Sequence, residues 1–216
     1  MKEIQTILGN LELITVVIAA ILGVFHFLQV KDSYWKWFVF YLIFIAVAEL
    51  FSGILLKSYP YLRKHYYDFF IIPIEFLFYY WLFAKKSLQN DKLFKISCIV
   101  YLIFFVIHLF ILDAVRSISA MSYTVGVFFL AIMVYLEFMK QIKSDEILNY
   151  QSNKMFYVNI GVLLFYVGTL PFFAFDKLLY ENNYVVWDWY KTFFLLSVNV
   201  MYLLFSASFI WGKPKL

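Results

Sequence analysis

The chain has 216 residues, of which 64% are hydrophobic, 24% aromatic and 15% charged, with a formal net charge of +4. Soluble domains are about half apolar and about a quarter charged; one of this size cannot hide so much apolar surface inside itself, so lipid must cover it. The basic residues lie in short segments between apolar runs, which excludes a nucleic-acid footprint and reads as orientation signals.

A membrane-spanning helix needs about 20 mostly apolar residues. By that measure the sequence predicts an all-α, polytopic bundle of seven transmembrane helices, over residues 8–30, 34–56, 66–84, 93–112, 119–139, 155–175 and 189–211. The runs are continuous and about twice the length of a barrel strand, which excludes a transmembrane barrel. The longest connections are 140–154 and 176–188, so residues 1–216 form a single transmembrane domain.

In chain order, each span carries a polar or small-residue stripe. The first has Glu12, Thr15, Ala19, Gly23 and His26, the second Ala46, Glu49 and Gly53, the third Asp68, Glu75 and Tyr79. Pro73 interrupts the hydrogen-bond ladder of the third span just before Glu75. The fourth has Ser97, Tyr101 and His108, the fifth Ser119, Ser122 and Gly126, the sixth Asn159, Tyr166 and Thr169, the seventh Thr192, Asn199, Tyr202 and Ser206. Spacings of three, four and seven put such residues on one helix face. Small residues and hydroxyls there commonly serve helix–helix packing.

Ionisable groups are different. An ionised acid near the bilayer centre costs about 2.5–3.5 kcal/mol on insertion scales, so it faces a bundle interior or a watery cavity. Glu75 lies near the middle of its span, Glu49 slightly outward, His108 in the outer part of the fourth span and Asn199 centrally in the seventh. These four, with Tyr79 and Tyr101, are expected to border one ligand-binding pocket in the outer half of the bundle, with Glu75 uncharged at rest. Glu12, Asp68 and Glu137 fall near span ends and are expected to be solvated; His26 is expected to be a packed residue.

Orientation follows the positive charges. One side would hold Lys2, Lys57, Arg63, Lys64, Arg116, Lys177 and Lys191, the other Lys31, Lys36, Lys85, Lys86, Lys92, Lys95, Lys140, Lys143, Lys154, Lys213 and Lys215. The second, richer set marks the cytoplasmic face. The N-terminus is therefore expected outside and the C-terminus in the cytoplasm, in a multi-pass protein of the inner (plasma) membrane.

Cys98 has no cysteine partner, so no intrachain disulfide forms. His26, His65 and His108 are far apart and make no His-x-x-x-His pair, so no metal is expected. No nucleophile elbow, phosphate-binding loop or dinucleotide glycine pattern is present; no cofactor is expected and no catalytic residue can be assigned. Neither a lipidation motif nor a cleavable leader is expected.

The segment Pro73-Ile74-Glu75-Phe76-Leu77-Phe78 resembles the Pro-x-Glu-Glu/Asp motif of the membrane-bound lycopene cyclases built from three-helix units. There too the motif lies in the third span, and an acid precedes it in the second, where Glu49 stands. Phe76 replaces that family's second acid, Ala48 replaces a tryptophan, and no second copy follows in the C-terminal half. The resemblance implies acid chemistry on a polyene. The whole chain more loosely resembles small bacterial seven-helix membrane proteins of unknown function, which implies no activity. Seven helices also match the rhodopsins, but a retinal Schiff base needs a lysine within the last span; Lys191 is at its edge and Asn199 holds the middle. Three classes remain open: a ligand-binding, sensing or accessory module, which is favoured; a small transporter or channel subunit; and an enzyme acting on a lipid or isoprenoid. The expected partners are membrane lipids and a signalling or transport protein, not nucleic acid.

Overall fold

The computed structural model describes residues 1–110, 116–144 and 146–213, with the backbone alone at 108–110, 116–120, 146, 174, 176 and 177. Helix α1 is Lys2–Phe25, α2 Trp35–Leu55, α3 Pro60–Ser87, α4 Asp91–Phe110 and α5 Arg116–Lys143. Helix α6 covers Lys154–Val162 and runs on through a wide turn, Leu163–Val167. Helix α7 is Leu170–Asn182 and α8 Tyr184–Ile210. Among the described residues, six helical stretches are long and apolar enough to cross a membrane: α1, α2, α3, Met121–Lys143 in α5, Lys154–Phe173 across α6 and the start of α7, and α8. The chain is a multi-pass helical membrane protein. Helix α4 stands where the fourth span is expected, and residues 111–115, beyond its end, lie outside the described residues.

The surface is built for lipid. On α1, Ile7, Ile14, Ile18 and Ile21 are exposed while Thr15, Ala19 and Gly23 are buried. The interior holds Ser52, Glu137, Gln141, Lys154, Asn159 and Asn199. An exposed isoleucine is at no disadvantage in hydrocarbon, whereas an unsatisfied polar group there costs several kcal/mol.

Pair contacts fix the helix directions. Gln5 donates to Asp188 at 2.7 Å near the start of α1, and Gly23 near its end faces Val39 and Phe209; α1 therefore runs parallel to α8 and antiparallel to α2. The Tyr80 hydroxyl donates to the carbonyl of Gly126 at 2.8 Å, and Ser87 donates to Glu137 at 2.7 Å, so α3 and α5 are parallel. Helix α4 runs against α3: Lys85 sits over Phe94, while Phe76 packs on Tyr101 at 5.2 Å between ring centroids. One end of the bundle, the N-terminal face, thus carries Gln5, Arg63 and Asp188. The opposite face carries Ser33, Ser87, Lys154 and Lys213.

Two features depart from the expected spans. Helix α3 starts at Pro60, six residues early, because proline suits the first helical turn and charged residues such as Arg63 and Lys64 are helical without being apolar. The sixth span breaks at Gly168 and Thr169, and α7 restarts with Pro171 in its first turn. The expected distortion near Pro73 is present: Tyr67–Ile71 forms a wide turn in which Ile72 N–H bonds to the carbonyl of Tyr67, five residues back. Proline has no N–H, and its ring crowds the carbonyl four residues earlier, so the ladder loosens there. Glu137, expected to be solvated, is 1% exposed. Its carboxylate accepts from Ser87 at 2.7 Å and Gln141 at 3.0 Å, with Lys140 at 3.7 Å. Helix α5 runs on to Lys143, which leaves Glu137 inside the bundle rather than at its edge.

Candidate functional site

Glu75 sits midway along α3, two residues beyond Pro73. Tyr166, placed by the wide turn after α6, donates to Glu75 Oε2 at 3.0 Å. From α2, the Tyr41 hydroxyl lies 3.3 Å from Glu75 Oε1 and 2.9 Å from the Tyr79 hydroxyl. Tyr41 has one proton, so it can donate to Tyr79 or to Glu75 but not to both. Tyr202 of α8 is buried within electrostatic range of Glu75 and Tyr79. Ring contacts fill the rest: Tyr41 stacks on Phe78 at 4.1 Å, and Tyr79 meets Tyr166 edge-on at 5.3 Å.

Nearer the N-terminal face, Tyr67 donates to Glu49 Oε2 at 2.7 Å and lies 3.0 Å from the Ser52 hydroxyl. Arg63 Nε donates to Ser52 at 2.9 Å, and its guanidinium sits 5.8 Å from the Tyr67 ring centroid. Glu12 of α1 is within electrostatic range of Glu49 and Arg63, and Glu75 of both Glu49 and Glu12. Two of the three carboxylates, Glu12 and Glu49, thus share the Arg63 guanidinium, and Glu75 lies deeper beside them. The three are spread out: among the described residues no group of three His, Cys, Asp or Glu side chains could hold one metal ion. Exposure separates the two kinds of side chain. Tyr41, Tyr79 and Tyr166 are buried, at 4%, 0% and 1%, whereas Glu12, Glu49 and Glu75 are only half-buried. The partly exposed carboxylates thus stand beside fully buried tyrosines.

Of the residues expected at the site, Glu49, Glu75 and Tyr79 lie in this system. Tyr101 is buried in the neighbouring ring cluster against Phe76 and Tyr80. Asn199 ties α8 to α1: its Nδ2 donates to the carbonyls of Leu8 at 3.0 Å and Leu195 at 2.6 Å, and its Oδ1 accepts from Thr15 at 3.1 Å. The His108 side chain lies outside the described residues. Tyr41 and Tyr67 belong to the system and were not singled out by the sequence; Tyr166 and Glu12 stood only in polar stripes, outside the expected pocket. With 18 tyrosines in the chain, no one of them stands out. Glu12 was placed at a span end because the apolar run begins near Leu8; the helix itself begins at Lys2, which sets Glu12 in its third turn. Compared with known protein families, curated proteins and solved structures, the chain matches none.

Proposed function

We propose that the protein is a ligand-binding or sensing module of the plasma membrane, with seven spans, its N-terminal face outside, and a site that takes a cationic group between Glu12, Glu49 and Glu75. The observation that carries this reading is a half-buried acid, Glu75, in mid-bundle beside buried tyrosines, with no lysine or arginine bonded to it among the described residues. A lone carboxylate is costly at that depth, and a cation supplied by a ligand lowers that cost. Tyr41 then serves as the moving part: drawing its proton from Tyr79 to an ionised Glu75 alters the contact between α2 and α3. A signal of that kind would pass to a partner protein.

The seventh span has its own support. Parallel α1 and α8 fit an odd number of crossings from first to last better than six alternating ones, which would leave them antiparallel. Helix α4, with 20 residues, is about 30 Å long at about 1.5 Å per residue, which matches a hydrocarbon core of about 30 Å. Orientation rests on the excess of lysines on the opposite face.

The test uses the purified protein in nanodiscs, melted in sodium, ammonium or ethylammonium chloride at matched ionic strength. One of the nitrogen cations should raise the melting temperature of the parent, as ligands that bind only the folded state do, and should leave Glu75→Gln unmoved. The proposal fails if no cation acts, or if Glu75→Gln responds like the parent. In a Cys98→Ala background, Glu75→Cys should react with a membrane-impermeant thiol reagent from outside and not from the cytoplasm.

A further inference from the structure

At the opposite face, well away from Glu75, a cavity of about 30 Å³ is bordered by Ser87, Glu137, Lys140, Asn153, Lys154 and Lys213. One water takes about 10–15 Å³ by this measure, so the cavity admits two waters or the outer oxygens of a phosphoryl group. Three lysines and one acid therefore line the space. That acid is already occupied: Glu137 accepts from Ser87 and Gln141 and pairs with Lys140.

Lys154 is the most deeply buried of the three lysines. It is 2% exposed. Its Nζ donates to the carbonyl of Ser208 at 2.9 Å and lies 5.0 Å from the Phe209 ring centroid. Among the described residues no carboxylate lies within ion-pair distance of Lys154 or Lys213. An ammonium has three donors, and a buried charge is normally paired. Lys213 is held over the same cavity by backbone: its N–H donates to the carbonyl of Ser152 at 2.8 Å, beside the start of α6. The first turn of α6, at Asn153–Met155, opens onto the cavity as well and adds the partial positive charge of a helix start.

We infer that this cavity seats a phosphoryl anion, with Lys154 as its buried ligand and Lys140 and Lys213 at the rim. Basic pockets between helices at a membrane face suit anionic headgroups. A shallow hollow beside it shares Lys140 and adds Leu88, Leu136, Met139 and Lys143, so an acyl chain has an apolar path away from the phosphate. A lipid headgroup and a soluble phosphate compound share the recognised chemistry.

The experiment is a melting series in neutral maltoside detergent with phosphatidylglycerol, phosphatidylcholine or inorganic phosphate added. Phosphatidylglycerol or inorganic phosphate should raise the parent's melting temperature, and phosphatidylcholine should not. A response to phosphatidylglycerol alone assigns a lipid headgroup; a response to inorganic phosphate assigns a soluble ligand. Lys154→Met should weaken the effective probe by about thirtyfold or more, as loss of a buried charge partner does. Lys213→Gln changes an exposed side chain, so it keeps the test valid if Lys154→Met does not fold; it should weaken the same probe, and Lys92→Gln, exposed on the same face, should not. The inference is overturned if neither anionic probe acts, if phosphatidylcholine acts equally, if Lys213→Gln keeps the full response, or if Lys92→Gln loses as much.

Discussion

Replacing Tyr166 by phenylalanine removes one hydroxyl from the centre of the bundle and leaves its ring contacts in place, to Phe76 at 5.6 Å and Tyr79 at 5.3 Å. What is lost is the 3.0 Å bond to Glu75 Oε2. Interhelical side-chain bonds in membranes average about 0.6 kcal/mol and reach about 1.7, and a bond to an ionised acceptor is worth about 1.5–3. Tyr166 is 1% exposed, while Glu75 is half-buried and can recruit water once its donor is gone. The expected cost of Tyr166→Phe is therefore about 1 kcal/mol, toward the middle of the membrane range. Glu75→Leu removes the acceptor, so Tyr166→Phe made in that background should cost almost nothing. Reversible unfolding in mixed micelles, followed by tryptophan fluorescence, gives the four corners of the cycle. A coupling of about 1 kcal/mol is expected; a value under about 0.3 kcal/mol, the usual scatter between independent sites, would show that Tyr166 and Glu75 do not bond. Glu75→Gln keeps an acceptor and the shape, so it should fold and insert while any ligand response disappears.

Further expectations follow from the same geometry. A Cβ on Gly126 would lie 2.8 Å from the Phe76 ring, whereas one on Gly9 meets nothing; Gly126→Ala should cost about 1–3 kcal/mol in the same unfolding assay, and Gly9→Ala should be neutral or stabilising by up to about 1 kcal/mol. Equal effects would refute that packing. Pro73→Ala restores a donor and should close the wide turn at Tyr67–Ile71, rotating the helix before it by about 100° and taking Tyr67 from Glu49. Cysteines at positions 49 and 67, in a Cys98→Ala background, should then cross-link only when Pro73 is present; unchanged cross-linking would exclude this. A reporter active only in the cytoplasm should work when fused after Leu216, and a silent fusion would reverse the assigned orientation.

Hydrophobic run length alone determined that the chain crosses a membrane several times, because partition into lipid depends on a sum over about 20 residues and hardly on their order. Single residues could be read where their physics is local. Pro73 loosens α3 whatever surrounds it, and Glu75 is costly at mid-span in any bundle. Partners are another matter, since they depend on helix ends, rotation and tilt. Glu12 and Glu137 came inside because α1 and α5 outrun their apolar segments. Tyr67 and Tyr166 reach the carboxylates from wide turns, each of which shifts the helical phase that a 3.6-residue stripe assumes. Asn199, central by sequence, gives its amide to α1 because α8 packs directly against that helix. Three lysines from separate elements meet around one cavity at the opposite face. Only the tertiary structure could decide that, because residues far apart in sequence become neighbours only when the helices pack.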